Sequence, residues 1–120
     1  MMYFQCCQSY HTDTPGFMRS IAEITRVLKP EGELFLTLLS KNNKAFQKAD
    51  PHWIIDANTV IRDEQATERH TAHFYVDIDD IREHFAAFHY VRPPLEQTEY
   101  NTEPLEPYST HFHLLLKKKC

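Results

Sequence analysis

Glycine is scarce: the 120-residue chain has two, Gly16 and Gly32. A dinucleotide-binding G-x-G-x-x-G loop or a phosphate-cradling P-loop needs several glycines at close spacing, for tight turning and close backbone approach. Neither loop can be drawn on this sequence. Long apolar runs are also missing, so no helix reads as membrane-spanning. The opening "MMYFQCC" is neither basic nor long enough for a secretory leader. Basic residues form no block except Lys117 to Lys119, which reads as a solvated tail, and the formal charge is −4. No nucleic-acid partner and no membrane are expected. Cysteine is sparse, with Cys6 and Cys7 adjacent and Cys120 at the end, at no metal-ligand spacing. An odd count without a leader suggests reduced thiols in a cytoplasm.

What is present is ordinary for a globular protein: 42% hydrophobic and 25% charged residues. One domain, residues 1–120, is expected. Met2 to Tyr10 reads as a short, mostly buried strand. Thr14 is a candidate helix cap, and Pro15 suits a first turn. Phe17, Ile21, Ile24 and Leu28 follow at helical spacing and make one apolar stripe, predicting a helix over 15–28. Lys29-Pro30 ends it, and Gly32 closes the turn. "ELFLTLLS", Glu33 to Ser40, is apolar on both alternating sets, as in a parallel strand covered on both faces. Strand, helix and strand within about forty residues define a right-handed βαβ unit.

Residues 41–72 are poorly patterned, with Trp53, Ile54 and Ile55 as apolar anchors and "NTVIRD" as a candidate short strand. A stretch of this kind reads as a lid-like loop. "HFYV" leads into a second helix over 77–88, capped by Asp77, with Ile78, Ile81, Phe85 and Phe88 as its buried stripe. "YVRPPLEQTEY" is strand-like, but Pro93-Pro94 confines it to an edge or a bulge. "STHFHLLLKKK" closes the chain as a strand.

The helix followed by "RVLKPEGELFLTLLS" resembles the C-terminal half of class I S-adenosylmethionine-dependent methyltransferases, in particular small-molecule enzymes of the type 11 kind. Their R-V-L-K-P-G-G pattern appears as Arg26, Val27, Leu28, Lys29, Pro30, Glu31 and Gly32, with Glu31 in place of the first glycine. The resemblance covers essentially the whole chain. It implies an α/β fold: a partial Rossmann-like sheet in the family order 4-5-7-6, with the last strand antiparallel between its neighbours and helices packed on it. It also implies S-adenosylmethionine as cofactor and a small molecule as substrate. The family's glycine-rich loop and the acidic residue after strand two match no residue here. The chain alone is therefore expected to be weak or inactive as a methyltransferase. Ser9, Tyr10 and His11 match the stretch beyond strand four, which in the family lines the cofactor and substrate pocket; no catalytic residue can be named.

The polar residues admit plainer readings. His11 sits where ligands bind in open α/β sheets, beyond a strand's C-terminal end, or is a loop histidine bonded to a carbonyl. Asp13 is a base or a support for the helix cap. His73 and Tyr75 line a substrate pocket from the lid or pack at a strand edge. His111 and His113 share a strand face and would bind a metal only with a third ligand; no metal is expected. Two other classes stay open: a non-enzymatic interaction module built on the half-sheet, and a histidine-based metal-binding protein. The charge-free, proline-free edge Met2–Tyr10 is expected to support self-association or to recruit a partner chain.

Overall fold

The computed structural model describes residues 3–6, 12–64 and 69–119. In chain order the elements are β1 (Tyr3–Cys6), α1 (Thr14–Val27), β2 (Glu33–Ser40), α2 (Lys44–Gln47), a 3-10 turn (Pro51–Trp53), β3 (Thr59–Glu64), β4 (Arg69–Val76), α3 (Ile78–His84), β5 (Phe88–Tyr90), β6 (Leu95–Thr102) and β7 (Leu105–Lys118).

The N-cap of α1 is Asp13, not Thr14. Its carboxylate accepts the Gly16 N–H at 2.9 Å. This satisfies one of the amides that every helix start leaves without a partner. Thr14 is already helical, and its hydroxyl donates across the fold to Asp56 at 2.9 Å. Leu28 caps the other end, and Lys118 Nζ donates to the Leu28 carbonyl at 2.6 Å. The turn into β2 differs from expectation in one respect. The left-handed residue is Glu31, at φ 63°, and not Gly32. Gly32 is required for closeness instead, because a Cβ there would lie 2.8 Å from the Lys29 carbonyl oxygen and 2.9 Å from Leu28 Cγ.

β1 and β2 are neighbouring parallel strands, as expected, with Tyr3 opposite Glu33 and Cys6 opposite Leu36. On its other side β2 pairs with β7 in antiparallel register, Leu36 opposite Leu114 and Leu39 opposite His111. The far edge of β7 carries β5 and then β6, both antiparallel to it. Pro93 and Pro94 fall in the gap between those two strands, where no ladder bond is lost. The order is therefore β1-β2-β7-β5/β6, the expected 4-5-7-6 arrangement with the last strand antiparallel in the middle.

One face of this sheet is dry. Leu34, Leu36, Leu38, Phe74, Val76, Phe112, Leu114 and Leu116 meet Phe17, Ile21 and Ile24 of α1 and Ile81 of α3 in a single core. Phe17 stacks on Phe74 with centroids 4.2 Å apart. Full cover on both faces of β2, however, is not found: Phe35 and Thr37, on the opposite face from the leucines, are half-buried. Helix α3 is also shorter than the expected 77–88. It stops at His84, Phe85 is its C-cap, and Phe88 opens β5. Ile78, expected in the buried stripe, is 39% exposed. It is the first helical residue and stays partly open at the start of the stripe, where it lines a surface cavity with Ile81 and Phe85.

Residues 41–72 hold more structure than their pattern suggested: α2, the 3-10 turn, β3 and the start of β4. β3 and β4 form an antiparallel hairpin, Thr59 opposite Phe74 and Glu64 opposite Arg69. The end of β4 joins β2 in parallel, at Leu39–Tyr75 and Ser40–Val76. A second small core forms there from Leu39, Val60 and Tyr75, covered by Phe46, Ala49 and Trp53. Trp53 is thus an anchor as expected, whereas Ile54 and Ile55 are about half exposed.

Candidate functional site

In open α/β sheets, ligands bind beyond the C-terminal ends of the strands. At that end, four segments are tied by polar contacts. Thr14 at the start of α1 donates to Asp56, and Asn58 N–H donates to the same carboxylate at 2.8 Å. Asn58 Nδ2 reaches both the Tyr75 carbonyl and Asp80, each at 2.9 Å. Asp77 and Asp80 form a reciprocal capping box at the start of α3. Lys41, just past β2, lies 2.9 Å from Asp80 and 3.5 Å from Asp77.

These contacts fix charge states. Burial pushes the Asp80 carboxyl up, but donation from the Asp77 N–H, Lys41 and Asn58 outweighs it and holds Asp80 below the usual carboxylate range. Asp56 behaves alike: burial opposes ionisation, and the Asn58 N–H with the Thr14 and Thr59 hydroxyls overcomes it. Both are structural anions that lock the rim, ill-suited to accept a proton near neutral pH.

Beside this network lies a cavity of about 440 Å³, bounded by Ser40, Lys41, Asn42, Asp77, Glu96 and Phe112. Glu96 accepts from Ser40 Oγ at 2.5 Å and from Asn42 Nδ2 at 2.9 Å, so β6 is tied to the end of β2. The volume suits a small organic molecule. Glu96, Lys41 and Asn42 were not singled out from the sequence. The only signal for them was position, directly after the apolar strand Glu33–Leu39 or beside a proline pair.

His73 and Tyr75 fall two apart on β4 and so share a face, and both are buried, at 2% and 0% exposure. Phe46 of α2 lies on Tyr75 with centroids 5.1 Å apart. Asp13 is occupied as a cap. Ser9, Tyr10 and His11 lie outside the described residues. His111 and His113 do share a face, with centroids 6.3 Å apart. Each has a neighbour of its own: His111 Nδ1 is 3.2 Å from Ser109 Oγ, and His113 Nδ1 is 3.3 Å from Thr37 Oγ1. Among the described residues no group of three or more potential ligands is placed to hold a metal ion. No described helix is long and apolar enough to cross a membrane.

A parallel β1-β2 pair with its helical crossover, followed by an antiparallel β7 inserted beside β2, defines a half-sheet of the methyltransferase kind. The chain matches a SAM-dependent methyltransferase from Methanosarcina mazei with a TM-score of 0.73, over 98% of this chain and 58% of that one, at 15% identity. A SAM-dependent methyltransferase from Anabaena variabilis gives 0.64, over 98% and 48%, at 12% identity. The 1,6-didemethyltoxoflavin-N1-methyltransferase of Burkholderia thailandensis, solved with 1,6-didemethyltoxoflavin and S-adenosylhomocysteine, gives 0.50, over 98% and 43%, at 13% identity. The chain therefore has the fold of these proteins in the described residues and spans about half of their length, which fits a C-terminal half. No family model matches it, and no curated protein matches it in sequence.

Proposed function

We propose that this chain is the substrate-side half of a cytoplasmic, S-adenosylmethionine-dependent methyltransferase of the small-molecule, type 11 kind, and that alone it is weak or inactive. The observation that carries this reading is the match over 98% of this chain to only 58% of the Methanosarcina enzyme. The described residues do not make a cofactor cradle. Gly16 lies inside α1 and Gly32 before β2, so neither belongs to a loop leading from a strand into a helix. Ser9, Tyr10 and His11 are the residues proposed to contact the cofactor, with His11 also facing the substrate. His73 and Tyr75 join the substrate site when α2 and the 3-10 turn, acting as a lid within residues 41–72, lift from Tyr75. Methyl transfer asks mainly for alignment, since the sulfonium already activates the methyl group. The outer edge of β1 is proposed to recruit a partner strand.

Titration calorimetry with S-adenosylmethionine tests the reading directly. No binding in the micromolar range is expected from the isolated chain, and micromolar affinity would overturn the half-site account. A second reading, a non-enzymatic interaction module, is favoured by one observation, the half-open sheet face around Phe35 and His113.

A further inference from the structure

The cavity beside Lys41 has a neighbour of about 370 Å³, and Ile78 and Pro94 line both. The neighbour is apolar. Ile81, Phe85 and Phe88, all buried, lie beneath it, with the two phenylalanine rings edge to face at 6.0 Å. Tyr90 lines it too, and its hydroxyl is already donated to the Ile81 carbonyl at 3.3 Å. Both cavities lie on the sheet face that carries Leu34, Leu36 and Leu38, since Glu96 stands opposite Phe112 and Phe112 opposite Leu38. Their walls come from α3, β5, β6, β7, the end of β2 and the turns beside them. Neither borrows a wall from β1 or from the half-open face around Phe35.

Charge distinguishes the two. Lys41 is held by Asp80 at 2.9 Å and Asp77 at 3.5 Å, and Arg82, at the rim of the apolar cavity, by Asp79 at 3.1 Å. Glu96 is left over. Its partners among the described residues, the Ser40 hydroxyl and the Asn42 amide, are neutral, and none of those residues forms an ion pair with it. Lys44 borders a separate cavity, on the far side of Asn42 and Glu96. An apolar cavity adjoining one with an uncompensated carboxylate fits a molecule divided in the same way.

We infer that the paired cavities bind a small arylalkylamine. Its ring lies over Ile81, Phe85 and Phe88, where edge-to-face contact is available. Its stem passes Ile78 and Pro94, and its protonated amine meets Glu96, with Asp77 and Asp79 adding negative potential. An acid of the same shape is disfavoured, because it would face Glu96 and gain Arg82 only at the expense of Asp79. The inference goes beyond the proposed function: it names a ligand and no reaction, and it uses none of the residues assigned there to cofactor or substrate.

Calorimetry on the full chain at low salt, without S-adenosylmethionine, compares three probes: phenethylamine, phenylpropionate with a similar body and the opposite charge, and ethylamine with no ring. Phenethylamine should bind saturably at about 1 mM or tighter, phenylpropionate roughly tenfold more weakly, and ethylamine not measurably. Glu96→Gln still accepts from Ser40 and Asn42 and should weaken phenethylamine roughly fivefold. Arg82→Gln releases Asp79 and should tighten it about twofold. Ala86→Phe, at an exposed lining position, fills the apolar cavity and should abolish binding. Circular dichroism checks each fold; Glu96 and Arg82 are exposed, so their variants decide the matter even if Ala86→Phe misfolds. No phenethylamine binding up to about 5 mM overturns the inference. So does phenylpropionate binding as tightly as phenethylamine, and so does phenethylamine binding that Glu96→Gln leaves unchanged. Because no arm contains S-adenosylmethionine, failure here leaves the half-site reading untouched.

Discussion

The two faces of one strand show how similar apolar content can be used differently. Leu34, Leu36 and Leu38 are all fully buried, and their neighbours Leu114 and Leu116 match them across the ladder. Phe35 and Thr37, one residue out of phase, meet Leu115 and His113 and stay half-buried. The covered face is apolar from Leu34 to Leu38 and from Phe112 to Leu116 and packs under two helices. The open face mixes apolar groups with hydroxyls and imidazoles that pair sideways along the sheet, Thr37 with His113 and Ser109 with His111. A polar group on a sheet face needs a partner only once it is out of water. Here the partners are already in place, so the face is suited to partial burial.

The largest effect expected from this contrast is in the cores. Leu36→Ala removes a fully buried side chain between β1, β7 and the helices. It should cost about 3 kcal/mol by urea unfolding. Leu115→Ala, measured at low protein concentration, should cost less than about 1 kcal/mol. Equal losses would show that both faces are sealed, and the contrast would be broken.

The capping residues sharpen the comparison at a smaller scale. Asp77 accepts the Asp80 N–H at 2.8 Å while Asp80 accepts the Asp77 N–H at 2.9 Å, anchoring α3 on the covered face. Asp50 accepts the His52 N–H at 2.9 Å, at the 3-10 turn on the other side. Asp77→Ala should cost about 1 kcal/mol, and Asp50→Ala less than half of that, because a three-residue turn transmits little to the core. A reversed order would mean that the 3-10 turn, rather than α3, holds the end of the sheet together.

Much of this architecture was legible in the sequence because long, strongly periodic segments dictate their own structure. The Phe17-Ile21-Ile24-Leu28 stripe, the apolar β2 and the proline-broken edge all fall where their patterns place them. Short elements were not legible. α2 and the 3-10 turn span four and three residues, too few to show a period, and β3 carries Arg62, Asp63 and Glu64 in its outer half. Cap identity failed by one residue, since Asp13 and Thr14 are both good caps and only the tertiary bond from Thr14 to Asp56 separates them. Cover on the second face of β2 also misled. Alternating apolar residues report that a face can be buried; they do not say which part of the molecule, or which molecule, buries it. The candidate site was legible only in outline. His73 and Tyr75 fall on one buried face, but Lys41, Asn58 and Glu96 are brought together by turns that no local pattern announces.

The smallest expected effect is a pH dependence that belongs to the open face alone. His111 is partly buried there. Burial pushes its imidazole below the ordinary histidine value, the Glu99 carboxylate 3.5 Å from Nε2 works the other way, and His113 adds to the lowering. A histidine that is harder to protonate folded than unfolded makes the unfolded chain bind more protons as pH falls, so stability drops below about pH 6.5. The contribution is fully present above the unfolded value and is lost once pH has passed below the folded one. Urea unfolding at low protein concentration, stepped from pH 7.5 down through the histidine range, should show this slope in the parent chain. It should be flatter in His111→Gln. Glu99→Gln tests the cause, because a glutamine there still accepts from Tyr108 but no longer favours the imidazolium. With that attraction gone, the folded-state value falls further and the slope should steepen. If stability of the parent chain instead rises as pH falls and Glu99→Gln removes that rise, attraction to Glu99 rather than burial controls His111, and the open face is wetter than its half-buried residues indicate.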